Sequence, residues 1–218
     1  MNLCRPARVS LSGIHACRQL PDVAGAAGIQ CGEQLAVAYD LTVGPSLIIR
    51  PARVQDAEQM AHVHVRCWQE TYRGLMPDAV LDDPGLPAAR ERMWTGALTG
   101  ERYHQNRVAV AERDDELIGI AMSGPPEALT DTWTRQLYVL YVYAADHGTG
   151  AGRALLQAVI DSAESAALWV ADPNPRAQRF YRKHGFVADG TVRFEDGVRE
   201  IRMVRGAQHS RTGRSHLL

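Results

Sequence analysis

The sequence predicts one α/β (α+β) domain built on a mixed, mostly antiparallel sheet. Three observations carry this. Two hairpin patterns stand in the second half, Arg107–Glu112 with Leu117–Ser123, and Val192–Phe194 with Val198–Val204. A continuous β-branched and aromatic run, Leu137–Tyr143, reads as a central strand buried on both faces. Helical periodicity fills the stretches between strands.

Length and composition bound the rest. A chain of 218 residues fits one domain with appendages. Its 45% hydrophobic and 22% charged residues supply a real core and exclude a disordered chain. The net charge of −1 gives no basic field for nucleic acid. No apolar run approaches the ~20 residues of a membrane span, and no secretory signal opens the chain, so a cytoplasmic protein is expected. Cys4, Cys17, Cys31 and Cys67 lie far apart without a C-x-x-C pair. Neither a metal site nor a disulfide framework is therefore expected.

Along the chain, residues 1–45 lack sustained periodicity and are broken by Gly25, Gly28, Gly32 and Gly44. They are expected to form a poorly structured extension, with Leu35–Leu41 its one candidate strand. The domain proper spans residues 46–205. Leu47–Arg50 is a strand stopped by Pro51. Asp56 is placed to cap a helix that turns Met60, Val63, His64 and Cys67 to one side. Pro77 opens a second helical stretch, and Leu86–Leu98 is a third. After the first hairpin and the central strand comes a helix over Arg153–Ala166, then a strand over Ala167–Ala171. Asn174 caps a short helix with Pro175 at its first position and Gly185 at its end. Residues 206–218 read as a loose basic tail.

The chemistry concentrates where the central strand meets a helix through His147-Gly148-Thr149-Gly150-Ala151-Gly152. Glycines let backbone amides approach a ligand, and a helix start aims unpaired N–H groups at it. Such a loop suits a phosphate or pyrophosphate. Arg153 occupies the third glycine position of a dinucleotide fingerprint, and no P-loop exists, since Lys183 is the single lysine.

The spacing Leu140-Tyr141-Val142, then His147-x-x-Gly150-x-Gly152, resembles motif A of the GNAT superfamily of acyl-CoA-dependent N-acetyltransferases. Asn174-x-x-Ala177-x-x-x-Tyr181-x-x-x-Gly185-Phe186 resembles its motif B. The likeness covers about residues 47–205. It implies helices on both sheet faces and a splayed central strand pair, with acetyl-CoA as co-substrate in the gap. Tyr141 and Val142 would pair with the pantetheine arm, and the loop from His147 through Gly148, Thr149, Gly150, Ala151 and Gly152 to Arg153 would bind the pyrophosphate. Asn174 caps its helix and would also touch pantetheine. Tyr181 is either a packing residue or the general acid for the leaving thiolate. Arg179, Arg182 and Lys183 form a solvated face or meet the adenosine 3′-phosphate.

The implied reaction is direct attack of an amine on the thioester, which requires no nucleophilic Cys or Ser. A non-catalytic acyl-CoA-binding or sensor module is the rival reading. It draws on Gln136, which stands where many relatives carry a glutamate base. His147 departs more mildly from the usual Gln or Arg. Glu70, Glu127 and Asp131 are substitute bases, and Trp68 and Tyr72 either wall an acceptor pocket or pack the core. The expected partners are acetyl-CoA and an amine acceptor, with a homodimer possible by the same resemblance.

Overall fold

The structure, a computed structural model, describes residues 41–42, 47–128 and 131–207. Cys4, Cys17, Cys31, most of Leu35–Leu41 and the tail past residue 207 lie outside the described residues. The strands are β1 (Leu41–Thr42), β2 (Leu47–Pro51), β3 (Arg107–Arg113), β4 (Glu116–Gly124), β5 (Arg135–Val142), β6 (Ala166–Ala171), β7 (Val187–Glu195) and β8 (Val198–Arg205). They form one sheet in the order β1-β2-β3-β4-β5-β6-β8-β7. β5 and β6 run parallel, and the other neighbours are antiparallel. Both expected hairpins are present. Asp114 and Asp115 turn the first with φ of 50° and 65°, and Asp196 and Gly197 turn the second with φ of 49° and 81°. Positive φ at both central residues matches the twist of the flanking strands.

The helices are α1 (Ala57–Tyr72), α2 (Asp78–Leu81), α3 (Leu86–Thr99), α4 (Ala151–Val159) and α5 (Pro175–Lys183). They cover both faces. Met60, Val63 and Cys67 of α1 and Trp94 of α3 pack on Val110, Ile120 and Val139. Leu155, Leu156 and Val159 of α4, with Tyr181 of α5, pack on Leu137, Leu168 and Met203 from the other side.

Three local expectations are corrected. The Asp56 carboxylate does not cap α1. It accepts from Arg50 Nη1 at 2.7 Å and from the Arg53 N–H at 2.7 Å, because the guanidinium is the stronger partner. α4 begins two residues earlier than Arg153 and ends at Val159 rather than Ala166. Asp161 stops it, its carboxylate accepting the Ala163 N–H at 2.8 Å, while Arg107 holds Glu164 at 2.6 Å. β5 is buried at Gln136, Leu137 and Val139, but Leu140, Tyr141 and Val142 are only partly covered. Its last residues line an open groove instead of a closed core.

Arg50 joins strand to helix by pairing with both Asp56 and Glu112. Burial raises the Asp56 pKa, but the hydrogen bonds from Arg50 and Arg53 outweigh it and hold the carboxyl below its ordinary value. A depressed folded pKa adds stability above the unfolded value near ~3.9 and loses it as pH falls through the folded value. Asp56→Ala is expected to cost about 1–3 kcal/mol in urea unfolding at pH 7, since it removes charge-assisted hydrogen bonds from a half-buried guanidinium and leaves it Glu112 alone. The difference from wild type should close below about pH 4.

Candidate active site

The site exists because two neighbouring strands part. β5 and β6 pair only where Arg135, Gln136 and Leu137 face Ala166, Ala167 and Leu168. On the other side of β5, Met122 faces Val139 while Ser123 faces Leu137, which leaves Tyr138 as a bulge residue. Its hydroxyl donates to the Pro125 carbonyl. Beyond the bulge the Tyr143 N–H bonds the Ile118 carbonyl at 3.0 Å. Antiparallel alternation then directs Tyr141 toward β4 as well, and turns the N–H and C=O of Leu140 and Val142 into the gap. The result is a groove of about 920 Å³, in the usual range for a small-molecule site.

The glycine loop closes one end of this groove. His147 Nε2 lies 2.9 Å from the Val142 oxygen, so this nitrogen carries the hydrogen. Thr149 Oγ1 donates to the Asp146 carbonyl at 2.8 Å, and Asp146 is itself ion-paired with Arg113. Gly150 is the residue before α4, at φ 97°, a conformation that only glycine adopts cheaply. The first amides of α4 are thereby left without intrahelical partners, and His147, Gly148, Gly150, Gly152 and Arg153 line the groove. The Thr149 and Ala151 side chains do not, the latter being fully buried under the helix. Arg176 and Lys183 line the groove along with Arg153. His184 lies among these cations. Burial first, then the charges of Arg153, Lys183 and Arg205, lower its pKa and keep it neutral. Arg182, by contrast, turns to Gln178.

α5 supplies two further groups. Asn174 Oδ1 accepts the Ala177 N–H at 3.1 Å, the expected cap. Tyr181, two turns on, reaches the groove with 8% of its surface exposed. Phe180 and Phe186 flank its ring at 5.3 and 5.9 Å. Burial raises its phenol well above the ordinary value, so the proton stays in place at neutral pH.

The opposite wall comes from α1. Tyr141 sends its ring to this side, where its hydroxyl accepts from Trp68 Nε1 at 2.8 Å. The Arg90 guanidinium lies 4.2 Å over the Trp68 ring, and Tyr72 meets that ring edge-on at 5.7 Å. Trp68 is thus a buried fixture that holds Tyr141, while Tyr72 lines the groove. Cys67 is buried and free, its thiol pushed up to about 12 by burial, and is chemically inert.

The candidate bases separate. Gln136 is buried and does not line the groove. Glu70 does, but its carboxylate already accepts the Ala144 N–H at 3.0 Å and Arg66 Nε at 3.2 Å. Asp131 accepts the Ala128 N–H at 3.1 Å. Glu127 lies 3.6 Å from Arg193, and burial raises its pKa. Sequence reasoning missed Leu140, Arg176 and the Trp68–Tyr141 bond. The first was legible as the residue two before Val142 on the same strand edge. The other two depend on how helices dock and left no local signal. Among the described residues, no group of three or more His, Cys, Asp or Glu is placed to hold a metal ion.

Known proteins share this fold. The pattern of the acetyltransferase (GNAT) family matches residues 58–186. A probable N-acetyltransferase of Mycobacterium tuberculosis, Rv2775, is 31% identical over 150 residues, covering 65% of this chain and 80% of the relative. The PaiA N-acetyltransferase of Thermoplasma acidophilum, solved in complex with coenzyme A, superposes with a TM-score of 0.55 at 17% identity, over 72% of this chain and 98% of its own. A Corynebacterium glutamicum structure described as histone acetyltransferase HPA2 and related acetyltransferase gives 0.58 at 22% identity, over 77% and 100%. The chain belongs to the GNAT family of acetyl-CoA-dependent N-acetyltransferases, which transfer an acetyl group from acetyl-CoA to an amine.

Proposed function

We propose that acetyl-CoA lies in the β5–β6 gap and is attacked there directly by a primary amine of a small molecule or protein. The observation that carries this is the pair of backbone edges, Leu140 and Val142, turned into the gap beside the open start of α4. A pantetheine arm has amide groups and suits such an edge as an added strand would. The pyrophosphate suits the amides from Gly148 to Arg153, with Arg153, Arg176 and Lys183 adding charge. Asn174, already engaged as a cap, keeps its amide NH2 for pantetheine. Tyr181, held protonated, serves as the donor to the leaving sulfur. The nucleophile is the amine itself, so no enzyme thiol or hydroxyl takes part.

A cytoplasmic setting and a homodimer belong to the same proposal. Among the described residues no helix is long and apolar enough to cross a membrane. A reducing compartment also suits the free thiol of Cys67. The homodimer draws on β7, a sheet edge whose Val187, Val192 and Phe194 are exposed.

We also place the domain boundary near residue 46. Leu41–Thr42 pair only along the outer edge of β2, a small contribution to the sheet.

Three measurements test these statements. Gly150→Val puts a β-branched residue at φ 97° in the phosphate approach. Calorimetric titration is expected to show acetyl-CoA binding weakened about tenfold or more, and unchanged affinity in a folded variant would remove the loop from the site. Tyr181→Phe is expected to lower kcat more than it alters KM for acetyl-CoA, because only the proton donor is lost; equal kcat values would make Tyr181 a packing residue. A chain of residues 44–218 should melt within about 5 °C of the full protein. A larger drop would make the extension an integral part of the fold.

A further inference from the structure

We propose that His184 holds a phosphate of the acyl donor and takes up a proton as that phosphate binds. The inference rests on the reading that acetyl-CoA lies in the β5–β6 gap with its phosphates at the start of α4.

The packing of α5 on the glycine loop puts His184 there. It closes α5, its N–H donating to the Tyr181 carbonyl at 2.9 Å. One turn back stands Phe180, and the two ring centres are 4.5 Å apart. Phe180 in turn lies on the loop: a Cβ placed on Gly152 would sit 3.5 Å from the Phe180 ring. Gly152, Phe180 and His184 thus form a stack that carries the imidazole to the phosphate end of the groove. His184 lines that groove together with Gly152, Arg153 and Lys183. It is half-buried, and no side chain among the described residues hydrogen-bonds its ring nitrogens.

The charges around the ring account for the proton. Three cations from three elements face it, Arg153 from α4, Lys183 from α5 and Arg205 from β8. Burial first, and then these charges, hold the ring of the free protein neutral. The end of α5 pulls the other way, because its last carbonyls favour a positive charge. A phosphate brings negative charge to the same place and reverses the balance. An imidazole with an ordinary pKa near ~6.5 needs only a modest rise to hold its second proton at neutral pH. Protonated, it gives the phosphate a charge-assisted hydrogen bond. The proton comes from solvent, and no covalent bond changes. The free protein is spared a fourth like charge in this cluster, and the complex gains one.

His147 is the other imidazole on the groove. Its Nε2 already donates to the Val142 carbonyl at 2.9 Å, and its side chain is exposed. A ring in solvent and tied at one nitrogen changes its surroundings less on binding than one half-buried among cations.

Linkage fixes the sign of the effect. Binding raises the imidazole pKa, so affinity grows as pH falls through the bound value and levels off below the free one.

Calorimetric titration of the full chain with acetyl-CoA in HEPES and in Tris, at constant ionic strength, reads the proton count from the difference in heat. Wild type is expected to take up about half a proton near pH 7.5, and to bind about fivefold or more tighter at pH 6.5 than at pH 8.5. His184→Gln should lose both the uptake and the pH dependence, with affinity at pH 8.5 within about threefold of wild type. His184→Lys carries its charge throughout this range and should bind without pH dependence. It keeps the test available where the Gln variant does not fold. Dephospho-acetyl-CoA, which lacks the 3′-phosphate, separates the two sources: uptake retained assigns the pyrophosphate as the partner, and uptake lost assigns the 3′-phosphate. Acetyl-CoA binding with uptake below about a tenth of a proton, or with equal uptake in His184→Gln, overturns the proposal. So does uptake abolished by His147→Gln instead. A wild type that does not bind acetyl-CoA overturns the site reading beneath it.

Discussion

The parting of β5 from β6 after their short shared ladder is the constraint on which the molecule depends. A continuous ladder would satisfy every backbone group and leave nothing for a ligand. Here the ladder stops at Leu137 and Leu168, and the bulge at Tyr138 bends β5 away. Two strand edges then face a gap instead of each other. The cost of unpaired backbone is bearable because water reaches the groove, and it is recovered when a ligand with its own amides enters.

Parting strands need supports, and the two faces of the sheet supply them differently. On the α4 and α5 side the support is aliphatic, Leu155 and Leu156 against Leu137 and Leu168. On the α1 side it is aromatic and hydrogen-bonded, Arg90 over Trp68 and Trp68 to Tyr141. Directional bonds fix Tyr141 and with it the strand that carries Leu140 and Val142. Apolar packing would fix only the distance between layers.

Much of this was legible in the sequence, and the rest was not for identifiable reasons. Gly150 and Asn174 announce themselves because their roles are local: a left-handed residue before a helix, and a side chain bonded three residues on. The hairpins are legible for the same reason. Asp56 misled because a cap and an ion-pair partner require the same residue type, and the competing Arg50 arrives from the preceding strand. Leu137–Tyr143 read as wholly buried because an apolar run looks the same beneath a helix or beside a groove. The pairing of β6 with β8 left no signal, because register and not proximity in sequence joins them.

The charge that lines the groove has a mechanistic consequence. Arg153, Arg176 and Lys183 line the groove where α4 begins, with the partial positive charge of the helix start beside them. The carboxylates that line the groove are already engaged, Asp146 with Arg113 and Glu70 with Arg66 and the Ala144 N–H. In the proposed arrangement a polyanionic acyl donor enters from the end that these cations line. Arg153, Arg176 and Lys183 are exposed, so their pull on an anion weakens as ionic strength rises. The fold therefore does more than hold the groove open: by bringing α5 beside α4, it gives the acyl donor its direction of approach.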